Sequence, residues 1–138
     1  MAPGPIESLV LADPLFEYAV LLGDNRPFLT LLVFPSLPQL ASLAKHMQIK
    51  WRRHEELCDH PENIAEIKRR VKVLTSKLPP HEQIKDLRVL LGEITQHSGL
   101  LTPTLKVKRK EVEKRFAKLI EDMYSKLSKK RKGRSASE

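Results

Sequence analysis

Hydrophobic positions along the chain first separate into runs that predict strands. Apolar runs from Tyr18 to Leu22 and from Phe28 to Phe34 flank the stretch Gly-Asp-Asn-Arg-Pro at 23–27, which is rich in turn formers. This arrangement predicts a β-hairpin. Because both strands are nearly continuous in apolar character, we expect a helix to cover at least one face of the sheet. A later apolar run, Leu87 to Leu91, predicts one more short strand.

Helical spacing predicts the remaining elements. A short helix is expected from Pro5 to Leu11, and a second one after Ser36, a residue type that caps helices, with a pattern that continues through Trp51 toward Leu57. The strongest helical pattern follows Pro61 and comprises Ile64, Ile67, Val71, Leu74 and Leu78. A last helix from about Arg109 places these residues on one face: Val112, Phe116, Leu119, Ile120, Met123 and Leu127.

The order of these elements predicts an α+β fold with a small β-sheet, an N-terminal hairpin and about three packed helices. The chain has 138 residues, which suits one domain. We expect that domain to occupy residues 1–127 and residues 128–138 to form a disordered basic tail.

Charge is distributed unevenly along the chain. Residues 1–105 hold 12 Lys/Arg and 12 Asp/Glu, whereas residues 106–138 hold 13 Lys/Arg and 5 Asp/Glu, which accounts for the net charge of +8. This pattern leaves open a nucleic-acid-binding module or a peripheral membrane module that uses the last helix. Aromatic residues are few and are not interleaved with the basic ones as a base-stacking surface requires, which disfavours nucleic acid.

Self-contained catalytic motifs are not found in the sequence. It has no Gly-rich phosphate loop, no G-x-S-x-G and no H-E-x-x-H, and its five histidines are scattered. Cys58 is the single cysteine, so we expect a thiol at a surface or half-buried position and no metal site. No apolar stretch is long enough to span a bilayer and no signal peptide is visible, so the expected location is cytoplasmic. These observations favour a binding or accessory module.

One loop is a candidate for chemistry. The stretch 99–109, Gly-Leu-Leu-Thr-Pro-Thr-Leu-Lys-Val-Lys-Arg, delivers Lys106 on a Gly- and Pro-bearing loop just before a basic helix. A lysine on a loop can reach a neighbouring site and stabilise charge that develops on a phosphate or carboxylate. The alternative is a surface loop that leads into a Lys-rich helix.

At these residues the sequence resembles the adenylate-forming acyl-CoA synthetases, in the long-chain fatty-acid–CoA ligase branch. The loop 101–109 carries the Leu-Thr-Pro-Thr-x-Lys pattern of that branch, and 23–30, Gly-Asp-Asn-Arg-Pro-Phe-Leu-Thr, resembles its hairpin. Residues 2–7 resemble the segment after the family's hinge, and 81–85 the approach to the next strand. The resemblance covers roughly residues 2–127 and implies the small, mobile C-terminal domain of such an enzyme.

The resemblance also implies site residues and partners. Lys106 matches the catalytic lysine of acyl-adenylate formation; Lys108 is a competitor, but the family places an arginine three residues after the lysine, and Arg109 fits Lys106. The expected supporting loop residues are Gly99, Thr102, Pro103, Thr104 and Arg109. The whole enzyme would use ATP, Mg²⁺ and CoA, none bound by this domain alone, with a fatty acid as the other substrate.

The N-terminal adenylation domain of the same enzyme is the implied protein partner. The nucleotide-binding loop and fatty-acid tunnel belong to that large domain and have no counterpart in this sequence, so we expect the isolated chain to be inactive. No nucleic-acid partner is expected. The basic tail would be available for peripheral contact with an anionic membrane surface.

Overall fold

A three-stranded sheet organises the first part of the chain. In the computed structural model, β1 (Phe16–Leu22) pairs antiparallel with β2 (Leu29–Pro35), and β2 pairs parallel with β3 (Ile84–Val89), in the order β1-β2-β3. All seven residues of β2 are buried, as expected for a central strand of continuous apolar character. The predicted hairpin is confirmed, and the later strand begins at Ile84, three residues before its predicted start.

The structure describes residues 3–23, 28–90, 99–100 and 107–137; for residues 3 and 128–137 it describes the backbone only. The chain divides into two compact units, Met1–Ile94 and Thr95–Glu138. The described residues form six helices and a short 3-10 turn at Pro80–Glu82. The helices are α1 (Pro3–Leu11), α2 (Leu37–His46), α3 (His54–Asp59), α4 (Pro61–Leu74), α5 (Arg109–Arg115) and α6 (Ala117–Ser137).

The predicted helix from Leu37 toward Leu57 is wrong in its extent. It ends at His46, because Gln48 adopts a left-handed backbone (φ 58°) and the chain closes a Schellman turn. In that turn Ile49 N donates to Ala44 O at 2.8 Å and Gln48 N donates to Lys45 O at 3.1 Å. A new helix, α3, begins at His54. Ser36 occupies the N-cap position of α2, but its side chain makes no capping hydrogen bond.

Helix α4 confirms the strongest sequence pattern, although it is shorter than predicted. It begins where Glu62 N donates to His60 Nδ1 at 3.2 Å, with Pro61 in the first turn. It ends at Leu74, before the predicted Leu78; the C-cap residue is Thr75, whose hydroxyl donates to Val71 O at 2.8 Å.

The second unit contains two helices where the sequence predicts one. Phe116, the C-cap residue of α5, departs from helical backbone angles (φ −106°, ψ 23°) and separates α5 from α6. The predicted apolar face is confirmed, since Val112, Ile120 and Met123 are buried. Helical backbone continues to Ser137, whereas the sequence predicts a disordered tail from residue 128; lysine, arginine and alanine in that stretch are all good helix formers.

The main hydrophobic core lies in the first unit. Its fully buried members include Leu31 and Val33 of β2, Leu40 of α2, Leu57 of α3 and Ile67 of α4. These residues come from four elements, so the core holds α2, α3 and α4 against the same face of the sheet. Burial of each such side chain stabilises the fold by roughly 1.5–3 kcal/mol.

Two polar contacts fix α1 in place. Glu7 of α1 accepts a hydrogen bond from Leu21 N of β1 at 2.7 Å. After α1, the Asp13 carboxylate accepts from Leu15 N at 2.9 Å and pairs with Arg70 of α4 at 3.2 Å. The helix is therefore held both to the sheet and, through the turn that follows it, to α4.

Candidate functional site

The ends of the lysine-bearing loop are joined by a backbone hydrogen bond. Lys108 N donates to Leu100 O at 2.7 Å, and Leu100 is buried. Gly99, just before Leu100, has φ +79°, a backbone conformation that residues with a side chain rarely adopt. A Cβ at Gly99 would meet no atom within 4 Å, so the backbone angle and not the available space selects glycine here.

The structure describes only part of the predicted catalytic loop. Gly99 and Arg109 are described; Lys106, with Thr102, Pro103 and Thr104, lies outside the described residues. Arg109 is half-buried and is the first residue of α5. Val112, one turn on, is fully buried and anchors that helix. A defined glycine turn therefore precedes the segment 101–106 and an anchored helix follows it.

A second cationic feature lies in the first unit, between α4 and β3. A groove of about 370 Å³ has an apolar lining from Val71, Ile84 and Leu87. Lys68 and Lys72 extend from successive turns of α4, and Lys85 extends from β3. All three lysines are exposed, and no carboxylate of the described residues is paired with them.

Neighbouring polar groups of this groove are already engaged. The Asp86 carboxylate accepts from Leu87 N at 2.9 Å and lies 3.7 Å from the Arg88 guanidinium. Gln83 Nε2 donates to Leu78 O at 2.6 Å and to Thr75 O at 3.2 Å, which ties the end of α4 to the start of β3. The uncompensated charge of the groove is therefore positive, which suits a phosphate or carboxylate ligand.

Another groove, of about 1130 Å³, runs between α2, the connection 47–53 and α3. It contains the single tryptophan, Trp51, which is half-buried and packs against the core. The ring of His54 lies 5.6 Å from that of Trp51, centroid to centroid. Lys45, Lys50 and Arg52 line the same groove.

Cys58 is buried within the core cluster, beyond the surface or half-buried position expected from the sequence. Burial, with smaller contributions from Asp59 and Glu55, raises the pKa of its thiol to about 11. Such a thiol is protonated at neutral pH and is a poor nucleophile. Within the described part of the chain, no group of three His, Cys, Asp or Glu side chains could hold a metal ion.

Comparison with solved structures identifies the class of fold. The fold is similar to the adenylation–carrier didomain of a carboxylic acid reductase from Segniliparus rugosus (TM-score 0.74, 19% identity, 96% of this chain and 17% of that one). It is also similar to the adenylation domain of such a reductase from Mycobacterium chelonae (TM-score 0.69, 20% identity, 91% and 18%). The α+β fold is that of the C-terminal domain of adenylate-forming enzymes, as predicted.

Residues 1–128 match the family described as the AMP-binding enzyme C-terminal domain, and the chain belongs to that family. It is 35% identical over 132 residues to the long-chain-fatty-acid–CoA ligase FadD15 of Mycobacterium tuberculosis, covering 91% of this chain and 21% of the relative. It is 31% identical over 128 residues to human long-chain-fatty-acid–CoA ligase 1, covering 91% and 18%. The resemblance stated from the sequence is confirmed; the chain spans about a fifth of these relatives.

Sequence reasoning missed both grooves. The sequence places Lys68 and Lys72 on the polar face of its strongest helical pattern. Lys85 lies beside them only because β3 pairs parallel with β2 in the sheet, next to α4. The sequence pattern places Trp51 in a continuing helix, whereas the chain turns at Gln48 and Trp51 lines a groove after that turn. In the described part of the chain, no helix has the length and apolar character needed to cross a membrane.

Proposed function

We propose that this chain is the mobile C-terminal domain of a long-chain fatty-acid–CoA ligase and supplies Lys106 for acyl-adenylate formation. The observation that carries the proposal is the 35% identity over 132 residues to a long-chain-fatty-acid–CoA ligase, an alignment that includes nearly all of this chain. The glycine turn at Gly99 and the anchored start of α5 support it, because they frame the loop in which Lys106 lies.

In the first half-reaction, a carboxylate oxygen of the fatty acid attacks the α-phosphorus of ATP. The bond from that phosphorus to the bridging oxygen breaks, and pyrophosphate leaves. Negative charge on the α-phosphate increases during this step, so an ammonium held beside it stabilises the transition state more than the ground state. Lys106 is proposed to supply that ammonium, contacting both the acid carboxylate and the phosphate, and Arg109 to support the loop.

In the second half-reaction, the domain rotates and the thiol of CoA attacks the acyl carbonyl, releasing AMP. The exposed lysines of the α4–β3 groove, Lys68, Lys72 and Lys85, would suit the phosphates of such a substrate. ATP, Mg²⁺ and the fatty acid are proposed to bind chiefly to the large N-terminal adenylation domain, which is the partner of this one. The isolated chain would then be inactive, since the nucleotide-binding loop is not part of it.

Two further parts of the proposal rest on the sequence alone. The enzyme is placed in the cytoplasm, and the basic residues after 127 are proposed to contact an anionic membrane surface peripherally. The alternative, a nucleic-acid-binding module, predicts salt-sensitive binding of this chain to duplex or single-stranded DNA. The acyl-CoA ligase proposal predicts none beyond the weak attraction of a basic protein.

The test is complementation of a ligase that lacks its own C-terminal domain. Pyrophosphate release from ATP and a long-chain fatty acid would be measured with FadD15 truncated before that domain, with this chain alone, with the two mixed, and with this chain fused in place of the missing domain. We expect activity in the fusion, a lower activity in the mixture, and none from either part alone. A fusion that folds, binds ATP and releases no pyrophosphate would contradict the proposed function.

A further inference from the structure

The groove between α2 and α3 is an open surface groove with an aromatic and cationic lining. Along its α2 side lie the small side chains of Ala41 and Ser42, with Pro38 one turn earlier. The groove has a volume of about 1130 Å³ and is open to solvent, so an elongated ligand can lie across it.

The Schellman turn creates the apolar floor of this groove. Because Gln48 turns the chain at the end of α2, Ile49 is directed into the core and Trp51 follows on the groove side. Trp51 is half-buried, with the rest of its side chain against the core. An aromatic surface that is held rigid in this way is the kind of anchor that dominates binding energy in protein interfaces.

The rim of the groove is cationic. Lys45, Lys50 and Arg52 are exposed, and within the described residues none of them has a carboxylate partner. Glu56 is the single acidic residue of the lining, and it accepts a hydrogen bond from Arg52 N at 3.0 Å. Three positive charges around an aromatic floor, with one engaged carboxylate, select an acidic ligand that also carries an apolar group.

We propose that this groove binds an acidic amphipathic helix of a partner protein, with an apolar side chain of that helix on Trp51 and its carboxylates facing Lys45, Lys50 and Arg52. A bilayer surface fits less well, since Trp51 is half-buried with part of its side chain against the core, whereas a membrane anchor has to protrude. The inference does not depend on the ligase function, because it uses no residue of the lysine-bearing loop.

Trp51 is the single tryptophan of the chain, so its fluorescence reports on this groove alone. The probe is a tryptophan-free helical peptide of Glu, Leu and Ala with its leucines on one face; the same peptide with Gln in place of Glu is its uncharged control. We expect the acidic peptide to shift the emission of Trp51 saturably and the Gln peptide to bind at least about tenfold more weakly.

The triple variant Lys45→Glu/Lys50→Glu/Arg52→Glu is expected to lose at least about tenfold in affinity for the acidic peptide. The matched control, Lys68→Glu/Lys72→Glu/Lys85→Glu, changes the net charge by the same amount in the other groove and is expected to bind within about twofold of the unaltered chain. Circular dichroism establishes that both variants are folded. Should the first triple variant not fold, the single changes Lys50→Glu and Arg52→Glu are each expected to weaken binding.

Four results would overturn the proposal. The first is equal weakening in both triple variants, which would indicate general attraction to a basic protein. The second is a shift with phosphatidylserine vesicles but not with the acidic peptide, which would make the groove a membrane contact. A third is an emission that changes on dilution of the chain alone, which would indicate a second copy as the occupant. The last is no shift with any probe.

Discussion

The guanidinium of Arg70 on α4 lies 3.2 Å from the carboxylate of Asp13, and through this pair α4 holds the turn that follows α1. Arg70 also pairs with Glu66 at 3.1 Å, one helical turn earlier. The Arg70 and Asp13 side chains are 29% and 19% exposed, so the pair is shielded more than an ordinary surface ion pair.

Replacing Arg70 with methionine should destabilise the fold by about 1–2 kcal/mol, because Asp13 loses its charged partner in a half-buried site. The matched control is Arg69→Met, since Arg69 pairs with the same Glu66 at 2.6 Å but its side chain is 63% exposed. That change should reduce stability much less than Arg70→Met does, because an exposed ion pair contributes little. Urea unfolding of the two variants measures both values; equal losses would contradict a special role for Arg70.

Acid should weaken this network at Glu66. Hydrogen bonds from Arg69 and Arg70 lower the pKa of its carboxyl to about 2, against an ordinary value of 4.5. A lowered folded-state pKa contributes stability above the unfolded value, and that contribution is lost as pH falls from about 4.5 toward 2. We expect the urea midpoint of Glu66→Gln to change less with pH in this window than that of the unaltered chain. If the urea midpoints of Glu66→Gln and of the unaltered chain fall equally with pH, Glu66 is not the source of the acid sensitivity.

Gln48 should be a site where glycine stabilises the fold. A non-glycine residue at φ 58° is strained by about 1–2 kcal/mol, and glycine removes this strain at a smaller cost in unfolded-chain entropy. Gln48→Gly is therefore expected to stabilise the chain by about 0.5–1 kcal/mol. Gln39→Gly, at an exposed position inside α2, should destabilise by about 1 kcal/mol. Thermal unfolding measures the Tm of both variants. A lower Tm for Gln48→Gly than for the unaltered chain would contradict the left-handed backbone at this position.

The Cys58 thiol should react only when the chain opens. It is buried, and its pKa is raised to about 11, so the thiolate that attacks alkylating reagents is scarce at pH 8. Iodoacetamide labelling of the native chain is expected to be at least about 100-fold slower than labelling in urea. Comparable rates in the two conditions would mean that Cys58 is accessible in the folded state.

Apolar spacing was sufficient to predict the elements whose boundaries carry ordinary capping residues. Pro61 and the apolar repeat that starts at Ile64 give α4 a clear beginning and face, although the repeat runs on to Leu78 and the helix ends at Leu74; the two apolar runs around 23–27 give the hairpin. The break after His46 was not predictable in the same way, because glutamine at a left-handed position carries none of the signal that glycine does.

The candidate site also has one part that a local sequence pattern predicts and one part that depends on tertiary packing. Lys106 was identified through a resemblance between short loop patterns, which needs no knowledge of tertiary contacts. The α4–β3 groove was not foreseen, since Lys68 and Lys85 are 17 positions apart and become neighbours only through the packing of α4 on the sheet. Charge that is collected from two elements in this way leaves no local pattern in the sequence.

The role of Lys106 is tested most directly by separating the two half-reactions in the fusion with the FadD15 large domain. Lys106→Ala is expected to slow acyl-adenylate formation by at least about 100-fold while thioester formation from supplied acyl-adenylate stays within about threefold, because its ammonium acts on charge that develops in the first step. Lys108→Ala, two residues on, should leave both steps nearly unchanged. Equal loss of both half-reactions in Lys106→Ala, or a larger loss in Lys108→Ala, would contradict the assignment of the catalytic lysine.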